Sequence, residues 1–443
     1  MFTYILTHSP LFYFIQSFWR DEAFSVLFAS RPLAWILQNS SFDPPLYYIL
    51  LHFWLKLFGQ SEIAVRSLSF IGFALATILV ILLAEHLFSK KWIQWLIPLL
   101  FFFNPMLLYY ALEARAYGWY IFFTTLTIYG YLKQNWKLFA IGAILGFYTH
   151  LYAGMIPFVC LLHYGIIHFK TLFQRKTFFK DPIIRSILLF TLAILPWIIR
   201  FLFVAHKFNY SWYFAVDFHL IFSVLGNMYT GYEGTPGYLW TTTRWMSIIL
   251  LILSFVAFIP KSNRKHSTLF LGFVYIPLIL VIGVSFIKPI FVNRYCIPVT
   301  IAEVFLIGYA ISSFKMKIVQ WMFAIAIFSY TFGFSMWYSD KHSKMDLRTP
   351  MQEINTLIEP QDVIFADNPI IFLETMYYAK NRNRVYFYNP KGAVFPWFIG
   401  DAVLDAKHIA NQLPSYPIRT FMVHGDGTYS ITYELPLTKG VKK

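Results

Sequence analysis

The sequence predicts a mainly α-helical fold, a polytopic membrane bundle of about eleven spans with a small α/β domain at its carboxyl end. Three observations support this prediction. The 443 residues are 58% hydrophobic and only 13% charged. Stretches such as 63–87 and 183–204 contain few charges, as membrane-spanning helices require. From about residue 340 onward the composition becomes that of an ordinary globular domain.

The predicted spans are the apolar stretches between short basic loops. They cover residues 2–18, 63–88, 92–112, 117–132, 137–151, 153–169, 184–204, 245–260, 268–287, 296–313 and 317–337. Lys and Arg in short loops favour the cytoplasmic side of a membrane. The resulting alternation predicts a protein of the plasma (inner) membrane with a cytoplasmic amino terminus and an extracytoplasmic carboxyl-terminal domain.

The segment 44–58 decides this topology, because it is apolar but short and contains His52 and Lys56. If it crossed the bilayer, nearly every basic cluster after it would lie outside. We therefore predict an interfacial helix in the first external loop. With that helix in the interface, most of the acidic residues near span ends gather on the external side.

Charge and cysteine content exclude two other classes of protein. The net charge of +15 is spread over short loops between apolar spans, so positive-inside bias explains it better than a nucleic-acid partner. Cys160 and Cys296 are far apart in or beside predicted spans, and we predict no disulfide. No H-E-x-x-H, paired C-x-x-C or histidine cluster indicates a tightly held transition metal.

The carboxyl-terminal region alternates between two kinds of predicted element. Strands are predicted at 362–366, 385–388 and 418–424, and helices at 351–357, 369–379 and 401–412. We place the domain boundary between residues 338 and 339. Because the region has no glycine-rich phosphate-binding motif, no nucleotide site is predicted. It is either a cap over an external site or a stabilising appendage.

Carboxylates beside a membrane are costly, so those near the span ends are candidates for chemistry. Asp21 and Glu22 lie in WRDEAFS, Asp43 in DPPLYY and Glu113 in LEARAY. Each has a structural alternative. Asp21 and Asp43 could cap helices, and Glu113 could form an ion pair with Arg115.

Five motifs follow one another in a particular order: WRDEAFS, DPPLYY, AVRSLS, NPMLLYYALEARAY and FVNRYCIP. In that order they resemble the GT-C glycosyltransferase superfamily over about residues 1–340. The chain resembles the bacterial relatives of protein O-mannosyltransferases, the lipid A aminoarabinose transferase and the RgtA/B/C/D-like sugar transferases. The resemblance implies inverting transfer of a sugar from a polyprenyl-phosphate carrier to a lipid, glycan or protein acceptor, on the extracytoplasmic side and in contact with membrane lipids.

The resemblance also implies roles for individual residues. Asp21, with Glu22 and Asp43, is the candidate catalytic set, and Asp21 takes the base or acceptor-positioning role. The candidates for binding donor phosphate or substrate are Arg66, Glu113, Arg115, Tyr117, His150, Glu233, Arg294 and Tyr295. Of these, His150 and Glu233 lie outside the five motifs and are chosen for their positions, His150 near a helix end and Glu233 in the long aromatic loop 206–238.

Some of these candidates have structural alternatives, and the need for a metal stays open. Arg66 and Arg294 could instead anchor the chain at the lipid headgroups, and His150 could be structural. A divalent cation, Mg or Mn, held by Asp21 and Asp43 stays open. Where some relatives have a further carboxylate, this chain has Ala116-Tyr117-Gly118, which argues against a metal site shared with them.

Two other functions compete with the transferase. A lipid or polysaccharide transporter predicts an internal repeat and polar groups throughout the membrane depth. No repeat is visible, and within the predicted spans only Glu85 and Glu303 depart from the external clustering of acidic residues. A glycan ligase or polymerase would use a diphosphate-linked donor, so donor identity separates it from the transferase.

Overall fold

The computed structural model describes residues 7–40, 42–169, 178–205, 213, 215–231, 239–395 and 397–434. The chain divides into two compact units. The first contains Met1–Phe14, Ser40–Tyr47 and Arg66–Lys341, and the second contains Ile15–Asn39, Tyr48–Val65 and His342–Lys443. The second unit therefore includes most of the predicted first external loop, which the sequence-based boundary assigned to the membrane domain.

Fifteen helices precede the carboxyl-terminal region in the part of the chain described, leaving aside single helical turns. They are α1 (Arg20–Ala29), α2 (Leu33–Asn39), α3 (Leu46–Phe58), α4 (Glu62–Leu87), α5 (Lys91–Phe102), α6 (Pro105–Ala111), α7 (Tyr117–Leu132), α8 (Trp136–Thr149), α9 (Met155–Ile167), α10 (Pro182–Val204), α11 (Phe218–Thr230), α12 (Trp240–Phe258), α13 (Arg264–Ser285), α14 (Ile297–Ser313) and α15 (Lys317–Lys341).

The chain is an integral membrane protein. Six of its described helical segments are long and apolar enough to cross a membrane: α4, α10, α12, α13, Asn293–Ser313 and Lys317–Ser339. The pair α5 and α6, bent by 53°, makes a seventh if it is one span. The predicted count of eleven is therefore not confirmed. Helices α7, α8 and α9 have only 16, 14 and 13 residues, and the helix Phe12–Ile15 near the amino end has only four.

The bend between α5 and α6 has a local cause. Asn104 caps α6 by accepting a hydrogen bond from the Leu107 amide, and Pro105 occupies the first helical position. Proline there has no N–H to satisfy, so this pair starts a new helix rather than continuing the previous one. The Asn104 side-chain amide also donates a hydrogen bond to the Tyr229 carbonyl at 3.0 Å, which links the bend to α11.

Helix α14 lies at the centre of the first unit, because every residue from Ile297 to Ile311 is buried. Ring stacking helps to fix its position, since Phe305 stacks on Phe270 of α13 with centroids 4.7 Å apart. Such pairs add about 0.5–1.5 kcal/mol to the free energy gained by burial.

The carboxyl-terminal part of the second unit contains a mixed sheet. Its strands are β1 (Val363–Ala366), β2 (Val385–Tyr388), β3 (Ile409–Ala410), β4 (Thr420–Val423) and β5 (Tyr429–Thr432). Their order is β3-β2-β1-β4-β5, and only β5 is antiparallel to its neighbour. Helices α16 (Arg348–Leu357) and α17 (Pro369–Tyr378) accompany the sheet.

The structure confirms the three predicted strands and the helices at 351–357 and 369–379. The helix predicted at 401–412 is wrong. That segment forms two 3-10 turns, Asp401–Val403 and Ala406–His408, followed by β3. The backbone of β3 pairs with β2, and Nδ1 of the buried His408 imidazole lies 2.7 Å from the Val385 carbonyl oxygen. Long-range pairing therefore overrides the local helical preference.

The short helices of the predicted first loop are well packed within the second unit. Phe28 of α1 contacts Trp35 and Tyr48, with ring centroids 5.1 and 4.7 Å away. The His52 ring contacts the Ala29 carbonyl, with its Nδ1 atom 2.8 Å from the oxygen. The predicted helix at 44–58 is confirmed as α3, whose 13 residues are too few for a span.

Candidate active site

An ion pair joins two of the predicted site residues in the first unit. The Arg115 guanidinium donates to Asp43 Oδ2 at 3.1 Å. Asp43 lies three residues before α3 begins. A capping residue directly precedes the helix, so Asp43 does not cap α3 in this simple way. The contact bridges a sequence separation of 72 residues, which means that the fold and not the local sequence creates it.

The segment that carries Arg115 is fixed against α4. The Ser69 hydroxyl donates to the Arg115 carbonyl at 2.7 Å. Gly118 passes so close to Ser69 that a Cβ atom there would overlap the Ser69 carbonyl. The glycine in Ala116-Tyr117-Gly118, which replaces the carboxylate-containing stretch of some relatives, thus has a packing reason in this chain.

Arg66 lies almost one turn before Ser69 on α4 and is fully buried. One of its guanidinium nitrogens donates to the Phe14 carbonyl at 3.0 Å. The predicted anchoring of Arg66 at lipid headgroups requires an exposed head, so its burial favours a role inside the protein.

Aromatic rings surround His150, which follows the end of α8. Its imidazole stacks on Tyr120 at 4.5 Å with an interplanar angle of 14°. Tyr295 and Tyr152 lie at its other sides, with centroids 4.9 and 5.7 Å away. The His150 Nδ1 atom accepts the Tyr152 amide, so this nitrogen is unprotonated and Nε2 carries the proton of a neutral ring.

The remaining candidates of the first unit lie around this group. Arg294 is buried and lies over the Tyr295 ring at 5.8 Å. His150 interacts electrostatically with Asp43, Arg115 and Arg294. Tyr117 interacts in the same way with Glu113, Arg115 and Arg294. We call Asp43, Arg115, His150, Arg294 and Tyr295 the polar cluster. Arg115 pairs with the Asp43 carboxylate, and Arg294 adds a second guanidinium group to the cluster, a combination that suits a phosphate.

Asp21 and Glu22 lie in the first turn of α1 in the second unit, where negative charge is favourable at a helix start. Trp19 is the residue that precedes the helix, so the structural alternative for Asp21, that it caps the helix, does not hold. The Asp21 carboxylate accepts from Arg20 Nε at 2.9 Å. Glu22 is fully buried and pairs with Lys344 at 3.2 Å.

Sequence reasoning missed several residues that hold these groups. Lys344 gave no signal, because it lies in a polar stretch that follows the last helix of the first unit. Glu374 is an acidic residue in the apolar helix α17, a pattern that the reasoning about costly carboxylates would have singled out. Tyr213 is hydrogen-bonded to Tyr295. It lies in the aromatic loop from which the sequence analysis selected only Glu233 as a candidate. Glu233 itself falls outside the described residues.

A metal would have to compete for the candidate carboxylates. Among the residues described, no three His, Cys, Asp or Glu side chains come together as a metal-binding group. Asp21, Glu22 and Asp43 each have a cationic partner, so a divalent cation would have to displace a guanidinium or ammonium group. Metal dependence stays a prediction.

The chain shares its fold with solved structures of ArnT. No family model and no curated protein matches it, but solved structures do. It resembles ArnT from Cupriavidus metallidurans, the lipid A aminoarabinose transferase. The apo structure gives a TM-score of 0.63 at 10% identity, covering 93% of this chain and 90% of ArnT.

A second ArnT structure, bound to undecaprenyl phosphate, gives a TM-score of 0.62 at 11% identity over 94% of this chain and 91% of ArnT. The similarity therefore includes the carboxyl-terminal region as well as the membrane helices. The resemblance predicted from the ordered motifs is confirmed. The role of each site residue stays a prediction.

Proposed function

We propose that this protein is a membrane glycosyltransferase that moves a sugar from a polyprenyl-phosphate carrier to an acceptor on the extracytoplasmic face. The observation that carries the proposal is the polar cluster, which is built from four separate stretches of a chain with the ArnT fold. The ArnT structure that holds undecaprenyl phosphate supports the choice of donor carrier.

The reaction breaks the bond between the anomeric carbon and the phosphate oxygen. An acceptor oxygen attacks that carbon, the phosphate leaves with the bonding electrons, and the acceptor proton passes to a base. A single displacement inverts the anomeric centre. Positive charge develops on the sugar ring and negative charge on the phosphate, so the reaction needs a carboxylate and cationic groups.

Arg115 and Arg294 are suited to the departing phosphate, because guanidinium groups bind phosphate oxygens in a fixed geometry. The Asp43 carboxylate holds Arg115 at 3.1 Å and orients it. Tyr295 and His150 form an aromatic wall that could contact the sugar. The carrier chain would run along the apolar helices.

Asp21 is the proposed base, by resemblance and by its position in a partly exposed first turn, with 15% of its side chain accessible. Glu22 has no such access, because it is fully buried against Lys344. We therefore give Glu22 a positioning role, in which it also accepts the Trp19 amide at 3.4 Å. The acceptor class, the sugar and inversion remain proposals for the assay.

The test compares Asp21→Asn with Asp217→Asn in vesicles supplied with polyprenyl-monophosphate sugars. Asp217 caps α11, and Asn keeps a cap while it removes the same charge. We expect Asp21→Asn to lower kcat by at least about 10²–10⁴-fold, the usual contribution of a general base. Unchanged thermal unfolding would show that the variant is folded. Full activity of Asp21→Asn would remove Asp21 from the mechanism.

Donor class and orientation need their own measurements. Turnover of diphosphate-linked glycans alone would favour the ligase, and substrate movement without turnover would favour the transporter. Orientation follows from labelling Lys391→Cys in the carboxyl-terminal region with a membrane-impermeant maleimide. The two native cysteines are buried, so background labelling is low. Labelling of intact cells is expected, whereas labelling only after lysis would reverse the topology.

A further inference from the structure

The second unit contains a cavity that the proposed mechanism does not use. It has a volume of about 250 Å³ and is lined by the end of α1, the turn after α17 and the 3-10 turn before β3. Among its described lining residues, three are cationic, Arg31, Arg382 and Lys407, and one is acidic, Asp405. This excess of positive charge indicates an anionic ligand.

Asp405 neutralises only part of the positive charge. Its Oδ2 atom lies 3.4 Å from an Arg31 guanidinium nitrogen and 3.9 Å from the Lys407 ammonium. One carboxylate therefore serves two cations, and both contacts are longer than a strong charged hydrogen bond. The Lys407 side chain is 65% accessible, so a ligand can reach the cavity from solvent.

Arg382 contributes a guanidinium group whose described partners are neutral. It donates to Gln60 Oε1 at 3.1 Å and lies over the Tyr377 ring at 5.9 Å. Burial lowers the pKa of Arg382 from its ordinary value, because it removes hydration from the charged form. An anion beside Arg382 would replace that hydration, since guanidinium groups bind phosphate and carboxylate oxygens in a fixed geometry.

Arg382 also lines a second cavity, of about 360 Å³. Its lining includes the side-chain amide of Gln352 and the ring of Tyr377. Arg348, which lines it as well, is paired with Glu62 at 3.3 Å. Amides can bind sugar hydroxyls, and a tyrosine ring can cover an apolar face of a sugar. A site for an anionic group and a site for a neutral polar group therefore meet at Arg382.

We propose that these two cavities bind an anionic saccharide, with its phosphate or carboxylate group in the first cavity and its neutral part in the second. Arg382 contacts both parts, so binding depends most on this residue. Arg31 and Lys407 add charge to the first cavity. The carboxyl-terminal region thereby gains a binding function that differs from both a cap and an appendage.

The position of the site along α1 relates it to the proposed reaction. Ser30, which follows the last residue of α1, lines the first cavity. It lies about 13 Å along the helix from Asp21, at 1.5 Å per residue. The cavity therefore does not hold the reacting group itself, but it suits a charged group elsewhere on the acceptor. This acceptor role, unlike the binding, rests on the proposed transferase function.

The first measurement is binding, which needs no transfer. Isothermal titration calorimetry uses the full-length protein in nanodiscs that contain polyprenyl phosphate, so that the proposed donor site is filled. The probes are glucose 6-phosphate, glucuronate, glucose and inorganic phosphate. At least one anionic sugar should bind about tenfold more tightly than glucose and inorganic phosphate, because charged hydrogen bonds contribute about this much.

The probes also identify the group that is recognised. Tighter binding of glucose 6-phosphate would assign the site to a phosphate, and tighter binding of glucuronate would assign it to a carboxylate. Equal affinity for glucose would overturn the need for charge. Equal affinity for inorganic phosphate would indicate an adventitious ion only and would overturn the saccharide.

A matched pair of variants places the binding in the cavities. Arg382→Gln should weaken binding of the anionic sugar by about tenfold or more and leave that of glucose unchanged. Arg384→Gln is the control, because Arg384 lies in the same turn but donates to the Asp362 carbonyl at 3.2 Å. Equal weakening by both variants would mean a general effect of charge and would refute the site.

If Arg382→Gln does not fold, Lys407→Gln takes its place, since this exposed side chain can be changed without disturbing the packing. It should weaken binding of the anionic sugar by about threefold. Lys391→Gln, which alters another exposed lysine of the second unit, should leave binding unchanged. The same affinity in both lysine variants would contradict the proposal.

The second measurement is transfer. Arg382→Gln should raise the KM for the acceptor by about tenfold, while kcat and the KM for the donor stay near the wild type, because only binding energy is lost. An unchanged acceptor KM would overturn the acceptor role. If Asp21→Asn retains activity, the proposed function fails, while calorimetry still decides whether the cavities bind the saccharide. If Asp21 is essential but no probe binds, only the saccharide site fails.

Discussion

Asp43 and Asp21, one in each unit, are both paired with arginine but are held in place in different ways. Asp43 meets Arg115 from 72 residues away, and Ser69 and Gly118 fix the segment that carries that arginine. Asp21 meets its sequence neighbour Arg20. In the first unit the fold supplies the partner side chain, whereas in the second it holds the backbone before the helix, where the Tyr378 hydroxyl accepts the Phe18 amide. The same chemical group therefore depends on different contacts in the two units.

The largest effect is expected from Arg115→Gln. If this guanidinium stabilises the leaving phosphate, its loss should lower kcat/KM by about 10²–10³-fold, the usual effect of removing one such donor. Arg264→Gln is the control, because Arg264 starts α13 and lies over Phe258 instead. Steady-state kinetics with a polyprenyl-phosphate sugar provide the measurement. A decrease below threefold would mean that Arg115 only supports the fold.

Gly118→Ala tests the packing side of the comparison. A Cβ atom at Gly118 would overlap the Ser69 carbonyl, and one at Gly226 would overlap the Thr243 carbonyl. Overpacking of this kind costs about 1–3 kcal/mol, so both alanine variants should unfold at lower temperature. Only Gly118→Ala should also raise KM, because only Gly118 adjoins the Ser69 bond to Arg115. If Gly118→Ala and Gly226→Ala have equal KM values, the contact between Gly118 and Ser69 does not affect substrate binding.

Which of these features can be predicted from sequence depends on how far apart the interacting residues are. Apolar runs and alternating patterns predicted the membrane helices, α16, α17 and three strands, since each depends on neighbours in the chain. All members of the polar cluster were among the predicted site residues, and all but His150 lie in the ordered motifs. The partner of Arg115 was not predicted, because Glu113 is nearer in sequence while the fold selects Asp43.

The failures have the same physical origin. The segment 401–412 has helical composition, but its backbone pairs with β2. The count of eleven spans treated several short apolar runs as full crossings, whereas α7, α8 and α9 are short helices. Lys344 pairs with Glu22 of α1 from the other end of the chain, where no local pattern connects it with Asp21.

Asp43→Asn tests how much the ion pair between Asp43 and Arg115 contributes to kcat/KM. We expect it to lower kcat/KM by about tenfold, because Arg115 keeps its charge but loses an orienting contact. In an Arg115→Gln background the same substitution should have almost no further effect, since coupled residues are not additive. Arg20→Gln should change kcat/KM less than Asp43→Asn if the backbone holds Asp21. Additive effects of Asp43→Asn and Arg115→Gln would contradict the pairing.

A pH-dependent stability effect is expected in the second unit. The pKa of Glu374 is raised from its ordinary value near 4.5 to about 8, so the folded protein binds this proton more tightly than the unfolded chain. Its contribution to stability is complete below about pH 4.5 and is lost as the pH rises through 8. The unfolding temperature should therefore fall over this range in the wild type and in Glu353→Gln. The decline should be smaller in Glu374→Gln, and equal slopes would contradict the shift.

The smallest effect is expected from His150→Phe. Phenylalanine keeps the ring that stacks on Tyr120 at 4.5 Å but removes the Nδ1 acceptor of the Tyr152 amide. The lost hydrogen bond is worth about 0.5–1.5 kcal/mol, so a change in kcat/KM of at most about tenfold is expected. His150→Ala loses the ring as well and should cost more. If His150→Phe and His150→Ala are both severely and equally inactive, the imidazole itself acts on the substrate. His150 would then contact the donor, as Arg115 is proposed to do.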